Sequence, residues 1–492
     1  MNYIDFIKGD FAPANAEACG VYERSVNDTA AGKIFMADLG DRDAIAAPAG
    51  AGFRGEAFEA AGARYVLAPL EHVNADRLRT LLPFTAPAPV LRERRSVGTG
   101  DRLGVACDGH LRVFERYDAM PVLAQQSIRE LTLTNRTFED VLDAASFAVF
   151  RCGFKRGFGA DGDHLKTGEE IEYALRCGYT MITLDCSEHI HNDAASMTPA
   201  QLDAAYAPDA ALEGIYLDRD FAVTEDMRLH FSGEDFRRAV LIYKEAIDFA
   251  ETIYKTYIEK IADRVDFEMS IDETLTPTAP LQHFFVANEL RRRGVKVTTI
   301  APRFCGEFQK GVDYRGDLAQ FEKELRLHAD IARYFGYKLS IHSGSDKFSV
   351  FQLIGKYTQG NFHLKTAGTS WLEAMKLVAI KDPSLYREIH TFALGAFDQA
   401  RKYYHVSTDL SKIPDIGGMT DAQLPELFRQ DDARQLIHIT YGLILNAKDA
   451  QGGYLFHDRL YVLWRREREA YAQLLDAHIG RHLELLYSGW QQ

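Results

Sequence analysis

At 492 residues the chain is long enough for a large core with accessory segments. A formal charge of −14 argues against a nucleic-acid-binding surface, which needs clustered lysine and arginine, but a few buried basic groups can still bind a small anion. The six cysteines form no CxxC pair, MNYIDFIKGDF lacks a signal-peptide pattern, and no run of about 18 uncharged apolar residues occurs; the expectation is a cytoplasmic protein with no disulfide framework and no membrane contact.

Residues 1–90 are rich in alanine and glycine, as in AIAAPAGAGFRGEAFEAAGARYVLAPL, and predict an N-terminal accessory α/β region ending in the linker PFTAPAPV at 83–90. The first strand of the next region is expected at Leu103-Gly-Val-Ala after the turn-forming GTGD, the second at FGADGDH (158–164) and the third at YTMITLDCSEHI (179–190). Residues 191–229 lack a clear period and read as a loop or lid, after which an amphipathic helix from Asp235 to Ile261 returns the chain to the sheet. From Val265 to Gly368 one event repeats four times, in VDFEMSIDET, VKVTTIAPRFCGEFQK, YKLSIHSGSDK and NFHLKTAGTS: a short apolar strand ends in acid, histidine or lysine, and a helix usually follows. HVSTDL at 405–410 supplies the eighth strand. Two helical segments in 413–492 form a C-terminal extension that covers the outside of the fold or makes a homo-oligomer contact. This alternation indicates an α/β fold, a (β/α)8 TIM-like barrel over 91–412 as the catalytic domain. Thr167-Gly-Glu-Glu170 and Ser370-Trp-Leu-Glu373 have the capping-box pattern that starts a helix just past a polar strand end.

In such a barrel the C-terminal strand ends converge on one mouth, and Glu268, Glu307, His342, His363 and Lys365 occupy such positions. Alternation turns Val265, Phe267, Met269 and Ile271 to the helices and Asp266, Glu268, Ser270 and Asp272 inward. By the same rule His342, His363 and Lys365 face the interior. A carboxylate and two imidazoles at one mouth suit a divalent cation. The tetrapeptide HLKT recurs at 164–167 and 363–366, each copy presenting a histidine and a lysine two residues apart. Plainer readings compete. A lone strand histidine is more often a structural hydrogen-bonder, Glu268 can simply pair with a lysine, and Asp161, Asp163, Asp185 and Glu188 rival it as inward acids. His189 and His191 suit a solvated lid as well as a metal, and GTGDRLG lacks the ending of a phosphate loop.

The segments FGADGDHLKT, FEMSIDET, APRFCGEFQKGVDY, SIHSGSDKFSV and FHLKTAGTSWLEA together resemble the tagaturonate epimerase family, over most of the chain from about Gly98 onward. The resemblance implies interconversion of D-tagaturonate and D-fructuronate, keto-uronates of hexuronate catabolism, with a divalent cation such as manganese, zinc, nickel, iron or cobalt. It implies acid/base roles for Asp163 and Glu268 and metal ligation by His164, Glu307 and His342, with Gln309 and His363 as substitutes for Glu307. Arg303, Lys347, Lys365 and Lys310 are candidates for the substrate carboxylate, Arg303 being preferred for bidentate contact, and His363 is a further substrate-binding candidate. The two sugars differ at carbon 4, counting the ketone as carbon 2. That carbon is not alpha to the ketone, so a retro-aldol step is expected: the bond between carbons 3 and 4 breaks, the aldehyde fragment turns, and the bond re-forms on its other face. Competing readings are an aldose–ketose isomerase or ketose 3-epimerase on a similar barrel and, from another class, a non-catalytic sugar-acid sensor, which has no need of opposed acids.

Overall fold

The computed structural model describes residues 1–366 and 368–491. The N-terminal part is an antiparallel sheet of β1 (Asn27–Thr29), β2 (Gly32–Asp38), β3 (Asp43–Pro48), β4 (Glu56–Ala60) and β5 (Ala63–Pro69), ordered β1-β2-β3-β5-β4. Both faces are covered, so β3 reads as a continuous buried run, DAIAAP, rather than as an alternation. Ile34, Met36 and Ile45 pack with Ala75 and Leu78 of the helix His72–Leu81 and with Phe147 and Phe150 of the helix Phe138–Cys152; Phe35 and Ala46 pack with Phe6 and Ile7 on the other side.

The closed parallel barrel consists of β6 (Arg95–Gly98), β7 (Met120–Ser127), β8 (Gly159–Leu165) and β9 (Met181–Asp185), followed after the hairpin β10 (Arg219–Ala222) and β11 (Arg228–Phe231) by β12 (Asp266–Ile271), β13 (Thr299–Pro302), β14 (Lys338–Ile341) and β15 (Phe362–Lys365). Pairing of β15 with β6 closes the ring. The four strands expected from Val265 onward are all present, as are those near 158–164 and 179–190. The two ends of the barrel differ from expectation. Leu103–Ala106 lies beyond β6 in the turn that leads to the helix Cys107–Arg116, MPVLAQQS forms the unforeseen β7, and residues 405–409 carry no strand. A proline at 121 and the glutamine pair 125–126 disguise β7, while β6 has only four residues in which to show a period.

The segment 191–229 contains the short helices Pro199–Ala205 and Ala210–Tyr216 besides the hairpin. The returning helix spans Gly233–Ile253 and ends in a widened turn over Tyr254–Ile258. Thr167 caps its helix as expected, accepting from Glu170 N while the Glu170 carboxylate accepts from Thr167 N. Ser370 instead lies inside the helix Thr369–Lys381. Beyond the barrel, helices from Thr369 to Trp490 build a separate core around Trp371, Tyr386 and Trp464. The last of them, Arg468–Trp490, lies against the barrel helix Phe348–Tyr357 at two glycines: a Cβ on Gly355 or Gly489 would stand 1.9 Å from a backbone carbonyl of the other helix. No helix among the described residues is long and apolar enough to cross a membrane.

One carboxylate joins these parts. Asp43, at the start of β3, pairs with Arg151 of the barrel helix Phe138–Cys152 (3.0 Å) and with Arg465 (3.1 Å) and Arg468 (2.9 Å) of the C-terminal helices. Burial pushes its carboxyl up, but Arg151, Arg468 and Arg465 outweigh it and hold the pKa below the usual value. The stability this contributes is therefore present above the unfolded carboxylate pKa and lost as pH falls through the folded one. Asp43→Asn is expected to cost about 3–5 kcal/mol at pH 7, as for one partner removed from a buried pair. In denaturant titrations against pH, its deficit relative to wild type should shrink below about pH 4; a pH-independent deficit would exclude the ionic origin.

Candidate active site

The polar ends of the barrel strands meet at a cavity of about 400 Å³. Its walls include Gln125, Glu130, Asp163, His164, Asp272, Arg303, Glu307, Lys310, His342 and Lys365, together with Tyr403–His405 from beyond the barrel. Lys365 is 3 % exposed, and its ammonium lies 2.8 Å from Asp161, 2.7 Å from Asp163 and 3.0 Å from Glu268, with Thr183 as a fourth partner. A desolvated carboxylate needs such a cation, so one lysine neutralises part of a cluster of three acids. Burial opposes ionisation of all three. Lys365 and then His164 overrule it at Asp163, Lys365 and then His342 overrule it at Glu268, and both carboxyls are held well below their usual range. At Asp161 burial prevails over Lys365, and the pKa rises.

Beside this cluster, His164, Asp272 and His342 offer three ligand atoms within 4.8 Å of one another. The donor set suits a first-row divalent cation. His342 Nδ1 is buried without a hydrogen-bond partner and lies 3.2 Å from Asp272 Oδ1, while His342 Nε2 meets Glu268 Oε1 at 2.7 Å. His164 repeats the arrangement with its nitrogens exchanged: Nε2 lies 3.9 Å from Asp272 and Nδ1 lies 2.8 Å from Asp163. A carboxylate behind each imidazole fixes the tautomer that leaves the other nitrogen free for a metal. His164, the penultimate residue of β8, has φ 55°, a left-handed conformation uncommon outside glycine, which marks a position held for its side chain.

The residues expected at the site are thus not all brought together. Asp163, Glu268, His164, His342 and Lys365 converge; Asp272, one alternation step beyond Ser270, is the carboxylate beside the two imidazoles. Glu307 stands apart on the half-exposed rim, 3.9 Å from His405. Glu268 is fully buried behind His342 and Lys365 and does not line the cavity. His363 lies deeper in the barrel, bonded to Ser96 at 2.9 Å, and burial lowers its pKa to about 3. Lys347 is spent on the backbone carbonyls of Gln309, Val312 and Ser345 at 2.6–2.9 Å. Gln309 is at the wall, its amide oxygen accepting from Ser407 and Gln435. Arg303 lines the cavity, and its guanidinium has no partner among the described residues. A second group, Asp346, His478 and His482, is largely engaged within itself: Asp346 N donates to His482 Nε2 (3.0 Å), His482 Nδ1 donates to the His478 carbonyl (2.8 Å), His478 Nε2 meets Asp346 (2.5 Å) and Arg434 pairs with Asp346 (2.8 Å), while His478 Nδ1 is buried without a partner among the described residues.

A closed parallel barrel with acids, a buried lysine and metal-type imidazoles at one mouth defines a (β/α)8-barrel enzyme. A tagaturonate epimerase family model matches residues 22–486. A tagaturonate/fructuronate epimerase of Thermotoga maritima is 43% identical over 431 residues, covering 87% of this chain and 88% of its own. Crystal structures of the fructuronate-tagaturonate epimerase UxaE from Cohnella laeviribosi, one with glycerol and one native, superpose with TM-scores of 0.93 and 0.92 at 47% and 46% identity, each over 98% of this chain and 99% of the other. The chain belongs to the tagaturonate epimerase family and is an isomerase-class enzyme.

Lys365→Met leaves three buried carboxylates without their cation, and the folded state is expected to lose about 3–5 kcal/mol in denaturant unfolding at pH 7. An unchanged unfolding midpoint would show that the cluster is not ionised.

Proposed function

We propose that the protein interconverts D-tagaturonate and D-fructuronate in the cytoplasm by inverting carbon 4, through cleavage and re-formation of the bond between carbons 3 and 4. The observation that carries this reading is the convergence of His164, Asp272 and His342 with Asp163 and Lys365 on one cavity. Six free cysteines agree with a reducing compartment. His164, Asp272 and His342 would hold a divalent cation, with Glu307 left to the rim. Bound there, the cation supplies electrophilic stabilisation for the negative charge that develops on the carbonyl half of the substrate.

The chain's own residues do the rest. Asp163 Oδ1 is occupied by Lys365 and His164, whereas its other oxygen has no partner among the described residues and stands at the cavity wall. Held ionised by Lys365, Asp163 takes the proton from the carbon-4 hydroxyl as the bond breaks. Glu268 has both oxygens engaged, by His342, Thr183 and Thr299, and reaches the cavity only through Lys365 and His342; with His342 assigned to the cation, it serves as the second acid/base group by way of the Lys365 ammonium. Arg303 receives the substrate carboxylate by bidentate contact: Lys347 and Lys365 are already saturated, and Lys310, the other candidate unpartnered among the described residues, offers only a point charge.

Purified protein incubated with D-tagaturonate and followed by NMR should yield D-fructuronate, and chelator should stop the conversion until a first-row divalent ion is returned. Full activity in metal-free protein would refute the cation role. Asp272→Asn and His342→Ala should each lower metal content, measured by elemental analysis, whereas Glu307→Gln should leave it unchanged; the opposite ranking would restore Glu307 as a ligand.

In deuterated water the product should carry no deuterium at carbon 4, because the hydrogen on that carbon never leaves it. Deuterium at carbon 4 after a single conversion would refute carbon–carbon cleavage. Exchange at carbon 1 or 3 without inversion at carbon 4 would favour an aldose–ketose isomerase or a 3-epimerase.

A further inference from the structure

Gln125 lines the same cavity and has no part in proton transfer or cation binding. Its side chain on β7 is wholly buried, yet neither its amide oxygen nor its amide nitrogen has a hydrogen-bond partner. A buried primary amide left entirely unsatisfied is strongly unfavourable, and native structures keep such groups where something else completes them. Gln126 beside it also lacks partners, but it does not line the cavity. Opening onto the cavity therefore distinguishes Gln125.

The neighbouring strand is shaped to admit this side chain. A Cβ on Gly98, the last residue of β6, would stand 1.6 Å from Gln125 Oε1. Gly98 is not among the positive-φ glycines, so its backbone does not require glycine; the space does. Two neighbours on the wall are similarly incomplete. Arg102 binds only Oε1 of Glu130 and leaves a buried Oε2 unpartnered, and the Lys310 ammonium donates to no described residue.

Resting on the epimerase reading above, we propose that Gln125 is a substrate-binding residue whose amide takes two adjacent hydroxyl oxygens of the sugar acid, donating to one and accepting from the other. A primary amide offers a donor and an acceptor side by side. That pair complements a vicinal diol, whereas a carboxylate calls for donors alone and a cation for acceptors alone. The seat provided by Gly98 holds the amide at the level of Asp161, its register partner on β8, two residues before Ser127 faces Asp163. The substrate hydroxyls it meets are thus near the proposed proton-transfer group.

Gln125→Met keeps length and volume and removes both hydrogen-bonding groups. Its kcat/KM for D-tagaturonate should fall by about 10- to 100-fold, while its thermal unfolding midpoint stays unchanged or rises, because unsatisfied polar groups have left the core. Gly98→Ala, which displaces the amide without removing it, should give a comparable fall in kcat/KM, and the double variant little more than either single one. Wild-type kcat/KM in Gln125→Met would overturn the proposal. A lowered midpoint or insoluble protein in Gln125→Met would also overturn it, by making the amide structural. Wild-type protein that neither binds nor converts D-tagaturonate would overturn the epimerase reading instead, a result separable from failure of the variant alone.

Discussion

The ammonium of Lys365 pins the interior of the barrel. It leaves β15 and reaches Asp161 and Asp163 on β8, Thr183 on β9 and Glu268 on β12. In the ring order, β8 and β12 each lie three strands away from β15, one in each direction, so the side chain spans the barrel. At about 3 Å and an effective dielectric near 20, each carboxylate contact is worth roughly 5 kcal/mol of attraction. That sum is needed, because taking each of these ions out of water costs several kcal/mol. Without the lysine, the three acids would have to become protonated or the barrel would have to open.

Consequences run outward from this pin. Asp163 and Glu268 each hold Lys365 and a histidine on one and the same oxygen, so the lysine fixes the carboxylates and the carboxylates fix the rings of His164 and His342. The two halves are not equivalent. Asp163 keeps an oxygen at the cavity wall, whereas Glu268 is engaged at both oxygens and shielded by the groups it orients. In the proposed reaction this asymmetry gives the two acids different access to the substrate. A mechanism that takes a proton from one epimer and returns it to the other from a new direction requires such a difference.

The sequence made the fold legible wherever strand and helix periods were long enough to repeat, from β12 to β15, and wherever a capping box such as Thr167 to Glu170 marked a turn. It hid β6 and β7, whose brevity, Pro121 and paired glutamines leave no period to read. Inward orientation followed from alternation on β12, which places Asp272 on the face of Glu268; that rule alone pointed to the carboxylate beside the imidazoles. Glu307 was placed at a strand end from the residues and given its ligand role by resemblance, but β13 stops at Pro302, so alternation has no meaning at 307. Depth was not legible either. His363 does face the interior, yet it sits level with Ser340 and Ser96, below the mouth. The destination of Lys347, three backbone carbonyls of loops distant in sequence, is a tertiary fact with no local signature.

A barrel alone makes a shallow bowl, and the remaining wall comes from chain outside it. Tyr403, Tyr404 and His405 close one side of the cavity. They are held there by the Tyr404–Tyr441 hydroxyl contact at 3.1 Å, by Arg102 stacked 3.8 Å over Tyr441, and by Gln309 accepting from Ser407 at 2.9 Å. Arg102 in turn binds Glu130, which lines the cavity from the helix Ile128–Thr134, so the C-terminal helices and the helix after β7 brace the same wall. This bracing suits the chemistry proposed for the site. A reaction that inverts a centre by parting the bond between carbons 3 and 4 has for a moment two three-carbon fragments, and the aldehyde one must turn without escaping. In that reading the helices after β15 are part of the reaction vessel.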